Sequence, residues 1–261
     1  ENPVVQDNLK ILKHYGYEVI EPASGYLACG DTGAGKMPEP ETLKEHILRE
    51  IAREKDLKGQ KILVTAGPTQ ESIDPVRYIT NHSSGKMGYA IAREAMLRGA
   101  EVTLVSGPCA ITPPPFVKVV PIVTARDMFE AVTSVSREQD IIIKAAAVAD
   151  YRPAVVYNEK VKKKDGQMSI ELEKTDDILQ YLGEHKQPGQ FLCGFSMETQ
   201  NMIGNSRAKL QKKNLDMVAA NNLKVAGAGF QGDTNVLTLI TQDEDVSLQL
   251  MSKEDAAGLI L

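Results

Sequence analysis

Two groups of side chains in this 261-residue sequence have the types and spacing needed to handle anions. The first is Ser83-Ser84-Gly85-Lys86, which falls where a helical apolar pattern begins, with Arg77, Asn81 and His82 just upstream. A helix starting there turns free backbone N–H groups outward, a serine can cap it, and Gly85 lets a ligand come close. Asn81 adds an amide that can both donate and accept hydrogen bonds. The second group is Lys209 and Lys213. Residues four apart on a helix share one face, so both ammonium groups can reach one polyphosphate. A further basic run, Lys160, Lys162, Lys163 and Lys164, reads most simply as a solvated face. His82 by itself indicates no acid–base step. Residues 30–36 spell the phosphate-loop pattern G-x-x-x-x-G-K, but Met37 stands where a Ser or Thr would hold magnesium, and Pro38 and Pro40 forbid the helix that must follow at once. That pattern is a decoy.

Positioning these groups requires alternating strands and helices. Residues 61–66 are a short apolar run ending at Gly67-Pro68, 86–98 set Met87, Ile91, Ala95 and Met96 on one helical face, and 101–106 turn apolar again. The pattern predicts strand, long loop, helix, strand. After the rigid Pro113-Pro114-Pro115 turn, a strand is expected at 117–122 and a helix over 125–136. Residues 140–147, DIIIKAAA, lack polar alternation, as a central parallel strand covered on both faces should. The run leads into Val148-Ala149-Asp150-Tyr151, at the carboxyl end where open α/β sheets bind ligands. Further on, the sequence predicts a charged protruding loop over 152–167, an exposed strand at 168–172, a helix from about Asp176, a strand at 191–195, a helix over 199–213 and a strand at 215–219. A hairpin joining 236–240 to 246–250 and a helix over 253–261 follow. The fold class is α/β: a Rossmann-like, mostly parallel sheet with helices on both faces and a C-terminal β-hairpin. Before it, 7–14 reads as a short helix, 17–20 as a strand, 22–40 as a loop, and 38–54 as an amphipathic helix carrying Leu43, Ile47, Leu48 and Ile51 on one face.

Residues 67–88, GPTQESIDPVRYITNHSSGKMG, closely resemble the opening motif of phosphopantothenoylcysteine synthetase, the ligase half of a bifunctional coenzyme A biosynthesis protein of bacteria. The resemblance runs from about residue 60 to the end. It implies ligation of 4'-phosphopantothenate to L-cysteine with CTP, through an acyl-cytidylate, releasing CMP and pyrophosphate, with Mg2+ accompanying the nucleotide. Such chemistry is reasonable for the residues present, because a carboxylate is a poor electrophile and its activation needs cations around a triphosphate and donors on the acyl group. The resemblance makes Asn81 the contact to the acyl intermediate and Lys160 the residue associated with attack by cysteine. It assigns nucleotide contacts to Lys144, Ala145, Ala146, Asp150, Lys160, Asp176, Asp177, Ile178, Leu179, Phe195, Lys209 and Lys213. Many members carry proline where this chain has Asp176. Ser83, Ser84, Gly85 and Lys86 are the expected substrate or phosphate cradle. Metal ligands are left unspecified. Bacterial members dimerise through this domain, which implies a homodimer.

Residues 23–37, ASGYLACGDTGAGKM, resemble the substrate flap of phosphopantothenoylcysteine decarboxylase, an FMN enzyme. In that family the cysteine matching Cys29 protonates the enethiolate left by decarboxylation, a task suited to a thiol on a glycine-flanked loop. The flavin-binding parts would precede Glu1, so Cys29 is expected to be idle here and decarboxylation to belong to an intact parent. The expected organisation is a decarboxylase remnant over 1–40, a helix and linker over 41–57, and a phosphopantothenate–cysteine ligase domain over 58–261. Glu1 in place of methionine also suggests a piece of a longer chain.

Hydrophobic content of 42% and charged content of 25% are ordinary for a soluble globular protein. No apolar run approaches a bilayer span, no secretory pattern opens the chain, and a net charge of −5 argues against nucleic-acid binding. Cys29, Cys109 and Cys193 are odd in number and form no CxxC pair, which fits a reducing cytoplasm and neither disulfides nor zinc. Two other classes compete. A dinucleotide-dependent oxidoreductase shares the strand–turn–helix opening, but no G-x-G-x-x-G follows Ala66 and no acidic residue closes 101–106 to hold a ribose. A non-catalytic dimerisation platform would keep the site without using it.

Overall fold

The computed structural model of the chain describes every residue except 1, 28, 164–167, 199, 223–228, 230 and 231, with 198 and 222 described by their backbone only. Lys164 and the predicted helix start at residue 199 lie outside the described residues. The chain forms two compact units, Glu1–Arg53 and Glu54–Leu261.

The first unit runs α1 (Pro3–His14), β1 (Ala23–Tyr26), β2 (Thr32–Lys36) and α2 (Pro40–Ile51). Asn2 caps α1 by accepting from the Val4 N–H at 2.9 Å, and a proline opens each helix where a missing donor does no harm. Neither helix fully buries a side chain; of the apolar stripe of α2, Leu43 and Leu48 are half-buried while Ile47 and Ile51 are exposed. Residues 17–20 form no strand. The expected loop over 22–40 is instead a hairpin in which Tyr26 faces Thr32 across an antiparallel pair. Its glycines conceal it, because β-propensity and apolar alternation are both weak there. Residues 32–36 are therefore extended rather than wrapped around a phosphate, and Lys36 pairs with Glu39 at 2.8 Å.

The second unit opens with β3 (Lys61–Ala66), β4 (Gln70–Ser72), β5 (Tyr78–Thr80), α3 (Lys86–Leu97), β6 (Glu101–Ser106) and β7 (Lys118–Pro121). It continues with α4 (Ala125–Val135), β8 (Ile141–Lys144), β9 (Tyr151–Pro153), β10 (Leu172–Lys174), α5 (Ile178–Glu184), β11 (Phe191–Glu198), α6 (Met202–Lys212) and β12 (Met217–Asn222). It ends with β13 (Thr234–Asn235), β14 (Leu237–Ile240), β15 (Asp245–Ser247), β16 (Met251–Ser252) and α7 (Lys253–Ile260). One sheet takes eight strands in the order β15-β14-β12-β11-β8-β3-β6-β7, parallel from β7 to β12 and antiparallel at the β14–β15 hairpin. This is the predicted class.

Alternate residues of these strands serve opposite faces. Leu63, Ile142, Leu192 and Val218 join Met128 of α4, Ile178 of α5 and Leu210 of α6 in one buried cluster. On the other face α3 lies against β3 and β6, close enough that a Cβ on Gly88 would stand 2.6 Å from the Ala66 Cβ and 2.9 Å from the Thr65 carbonyl. Strand β8, beside β3 and β11, buries Ile142 and Ile143 fully, as a central strand should. From β3 the chain crosses to β6 on one side and returns through α4 to β8 on the other, which makes the β3–β8 boundary a topological switch point.

Among the described residues of this unit three short antiparallel pairs stand apart from this sheet, one of them β13 with β16. The predicted long loop after β3 contains β4 paired with β5, and β9 pairs with β10, so the exposed strand expected at 168–172 begins only at Leu172. Runs of three residues are too short for a periodicity to reveal them. Among the described residues no helix is long and apolar enough to cross a membrane.

Candidate active site

Strand β8 ends at Lys144, and the chain beyond it stays beside the extension of β3, meeting it again in a parallel bridge between Ala147 and Pro68. The Ala146 N–H donates to Thr65 Oγ1 at 3.1 Å, the Ala147 N–H to the Gly67 carbonyl at 2.9 Å, and the Ala149 N–H to Thr69 Oγ1 at 3.0 Å. Thr175 closes the far side, its hydroxyl donating to the Ala149 carbonyl at 2.6 Å and its N–H to the Asp150 carbonyl at 3.0 Å. These threonines escaped the sequence reading because they act on backbone. Two of them, Thr65 and Thr69, are fully buried polar residues at the carboxyl end of β3, which is the one signal that could have marked them.

The segment shaped in this way forms one wall of a cavity of about 470 Å³. Lys144, Ala145, Ala146 and Asp150 line it from this wall, Asp176, Asp177, Ile178 and Leu179 from the start of α5, and Phe195, Lys209 and Lys213 from β11 and α6. Asp177 caps α5 by accepting from the Gln180 N–H at 3.0 Å and pairs with Lys213 Nζ at 2.6 Å. Burial opposes its ionisation, but Lys213 and the Gln180 N–H, with Lys144 nearby, hold its carboxyl below the ordinary range. Lys209 Nζ donates to the Phe195 carbonyl at 2.7 Å. Lys144 carries the main electrostatic strain. Burial and then repulsion from Lys209 bring its pKa down to about 8, with Asp177 pulling the other way and Lys213 adding repulsion. Three cations converge on one recess.

A second, smaller cavity of about 50 Å³ adjoins the first, sharing Ala145, Phe195 and Met197 with it. Ser83, Ser84, Gly85 and Lys86 line it, together with Asn221, Asn235 and the buried Lys253, none of which the sequence singled out. No serine caps α3. The N-cap is Gly85 at φ 80°, a left-handed conformation that favours glycine, and the helix start has no side-chain cap. Ser83 Oγ accepts instead from the Gly85 N–H at 3.3 Å. Cys109, whose thiol burial pushes up, fills the gap beside Gly67 and Gly85 and leaves no room for a Cβ on either. Lys86 pairs with Asp233 at 2.6 Å.

The remaining expected residues divide. Asn81 Nδ2 donates to the Ala147 carbonyl at 3.0 Å, which fixes its amide to the wall of the larger cavity. Arg77 does not join the start of α3; its guanidinium binds Asp74 and the Val161 carbonyl. His82 is exposed. Lys160 is exposed and does not line the cavity, because the connection that carries it is bonded to the β4–β5 turn. Cys29 is exposed in the turn between β1 and β2, which the Leu27 N–H closes onto the Asp31 carbonyl at 2.8 Å. Among the described residues no three or more His, Cys, Asp or Glu side chains are placed to hold a metal. Asp150 and Asp176 in the cavity suit a Mg2+ that keeps its waters and takes its other ligands from phosphates.

Residues 57–261 match the family described as the DNA/pantothenate metabolism flavoprotein C-terminal domain. The chain belongs to that family. Residues 1–52 match the Flavoprotein family. Over its whole length the chain is 46% identical to the Coenzyme A biosynthesis bifunctional protein CoaBC of Bacillus subtilis and spans 65% of that protein. It is 44% identical, again over its whole length, to a protein of an unknown prokaryotic organism named cysteine/cysteine sulfinic acid decarboxylase, of which it covers 74%. A crystal structure of the C-terminal domain of CoaBC, 46% identical, superposes with a TM-score of 0.67 over 78% of this chain and 93% of that one. The flavoprotein C-terminal domain family thus accounts for the α/β sheet.

Proposed function

We propose that this chain works in coenzyme A biosynthesis and ligates 4'-phosphopantothenate to L-cysteine with CTP. The observation that carries the reading is the convergence of Lys144, Lys209 and Lys213 in a cavity that adjoins the uncapped start of α3. A nucleoside triphosphate in the larger cavity would relieve the repulsion that depresses Lys144. The acid would lie along the smaller one, with its carboxylate near Asn81 and its phosphate toward residues 83–86. The carboxylate oxygen attacks the α-phosphorus and pyrophosphate leaves, giving the acyl-cytidylate. The amine of cysteine then attacks the acyl carbon, CMP leaves with the electron pair of the broken C–O bond, and Lys160 assists this second step. Magnesium, when bound, neutralises charge on the triphosphate, with Asp150 and Asp176 as its candidate ligands.

A homodimer belongs to the same proposal. Val155, Val156, Tyr157, Met168, Ile170 and Leu172 are all exposed on and around the β9–β10 pair, an apolar surface that a second copy would cover. The connection carrying Lys160 is part of that surface. FMN and proton donation by Cys29 are proposed for an intact parent, and no step here passes through them. A cytoplasm that supplies free cysteine and CTP fits the substrates.

The rival reading taken from one relative's name, decarboxylation alone, gives the converging cations no task. The test is pyrophosphate release by the purified chain with CTP or ATP, with each of the other substrates added or withheld. Pyrophosphate release is expected to depend on phosphopantothenate, and CMP release on cysteine. No substrate-dependent pyrophosphate with either nucleotide rejects the ligase.

A further inference from the structure

The turn between β4 and β5 holds a side chain to which no role has yet been given. Asp74 is buried there with no exposed side-chain surface, and both its oxygens are engaged. Oδ1 accepts from the Val76 and Arg77 N–H groups, each at 2.9 Å. Oδ2 accepts from Arg77 Nε at 3.1 Å, from Arg77 Nη2 at 2.5 Å and, across the fold, from the Val161 N–H at 3.1 Å. Arg77 Nη2 also donates to the Val161 carbonyl at 3.0 Å. Three residues before Lys160, the Tyr157 N–H donates to the Ile73 carbonyl at 3.0 Å. The chain on either side of Lys160 is therefore tied to one turn, 73–77.

Oδ1 closes the turn's own backbone, as an aspartate in a turn commonly does, but that leaves Oδ2 free to serve something else. Here the carboxylate satisfies the backbone of a remote connection whose next-door residue, Lys160, is exposed. On the reading that Lys160 assists attack by cysteine, we propose that Asp74 is its positioning residue, fixing through Val161 and Arg77 where the Lys160 ammonium can be delivered. Asp74 exchanges no proton in this role. The Arg77 guanidinium holds its carboxyl well below the usual carboxylate range, so the tie is ionised throughout the working pH.

The test uses the full chain with Asp74→Asn, Lys160→Gln and the double variant, and separates two rates. One is phosphopantothenate-dependent pyrophosphate release without cysteine; the other is CMP release on adding cysteine. Asp74→Asn is expected to leave the first within about twofold of wild type and to slow the second at least about tenfold, as a misplaced group does. The double variant should be no slower than Lys160→Gln, because both remove the same contribution. Equal loss in both rates, or additive losses in the double variant, would show a merely structural Asp74 and overturn the proposal. Should Asp74→Asn fail to fold, Arg77→Lys keeps a cation beside Asp74 but loses the forked guanidinium that also reaches the Val161 carbonyl, and the same split is expected; wild-type rates in that variant also overturn it. If Lys160→Gln slows nothing, the assignment of Lys160 falls and the inference with it. If Lys160→Gln is slow and Asp74→Asn is not, the positioning role alone falls.

Discussion

Lys209 stands in the last turn of α6 and Lys213 at its C-cap, one bonded to the Phe195 carbonyl and the other to Asp177, while Lys160, Lys162 and Lys163 stand exposed on the connection between β9 and β10. The first pair is held by a helix that buries Leu210 in the main core, so its charges cannot retreat from Lys144. The second group is held by backbone bonds to one turn, and water solvates its charges. The difference teaches that a cation fixed in a recess is destabilising until an anion arrives, whereas a cation on a solvated connection costs little and can be brought to a substrate. On the proposed reading, binding falls to the first arrangement and delivery to the second.

The largest effect that would sharpen this contrast comes from replacing both Lys209 and Lys213 by Ala. Each loses a charge-assisted contact, so CTP affinity measured by calorimetry is expected to fall about 100-fold or more, against less than about twofold for Lys162→Ala with Lys163→Ala. Similar losses in the two double variants would erase the distinction.

A smaller effect is expected from Lys160→Gln. CTP should bind within about twofold of wild type while cysteine-dependent CMP release slows about 100-fold, so that the acyl-nucleotide accumulates in acid-quenched samples. Weakened CTP binding with no accumulation would move Lys160 from delivery to binding.

The third effect is the smallest and carries the opposite sign for stability. Lys144 has a folded pKa of about 8 against an ordinary 10.5, so below pH 8 folding forces a charge into an unfavourable place, and the penalty fades as pH rises from there toward the unfolded value. Lys144→Met should therefore stabilise the chain by on the order of 1–3 kcal/mol at about pH 6.5, and by much less at about pH 9.5, while weakening CTP binding about tenfold. Melting curves at both pH values check the sign. A variant less stable than wild type at the lower pH would show that the recess does not hold a strained cation.

Parts of this site were open to sequence reasoning for definite reasons. Lys209 and Lys213 announce a shared face by their spacing, and DIIIKAAA announces a strand covered on both sides. Other parts were closed to it. A serine beside a helix start looks like a cap, yet Gly85 takes that position because its left-handed backbone suits glycine. Arg77 looks like a neighbour of that helix start, but a buried carboxylate three residues away holds its guanidinium instead. The β1–β2 hairpin is hidden by its glycines, and Thr65, Thr69 and Thr175 shape the cavity wall through backbone contacts that leave no mark in residue type.

By itself the sequence determined the α/β class and the common face of Lys209 and Lys213, since each follows from local spacing and residue chemistry. Only the tertiary structure decided that Lys144 would be buried beside those two lysines and lose proton affinity, first to burial and then to Lys209, and that Lys160 would stand outside the cavity. The physical reason is strand order. Placing β11 beside β8 brings together segments distant in the chain, and that pairing is chosen by packing of the whole sheet, which no local periodicity encodes.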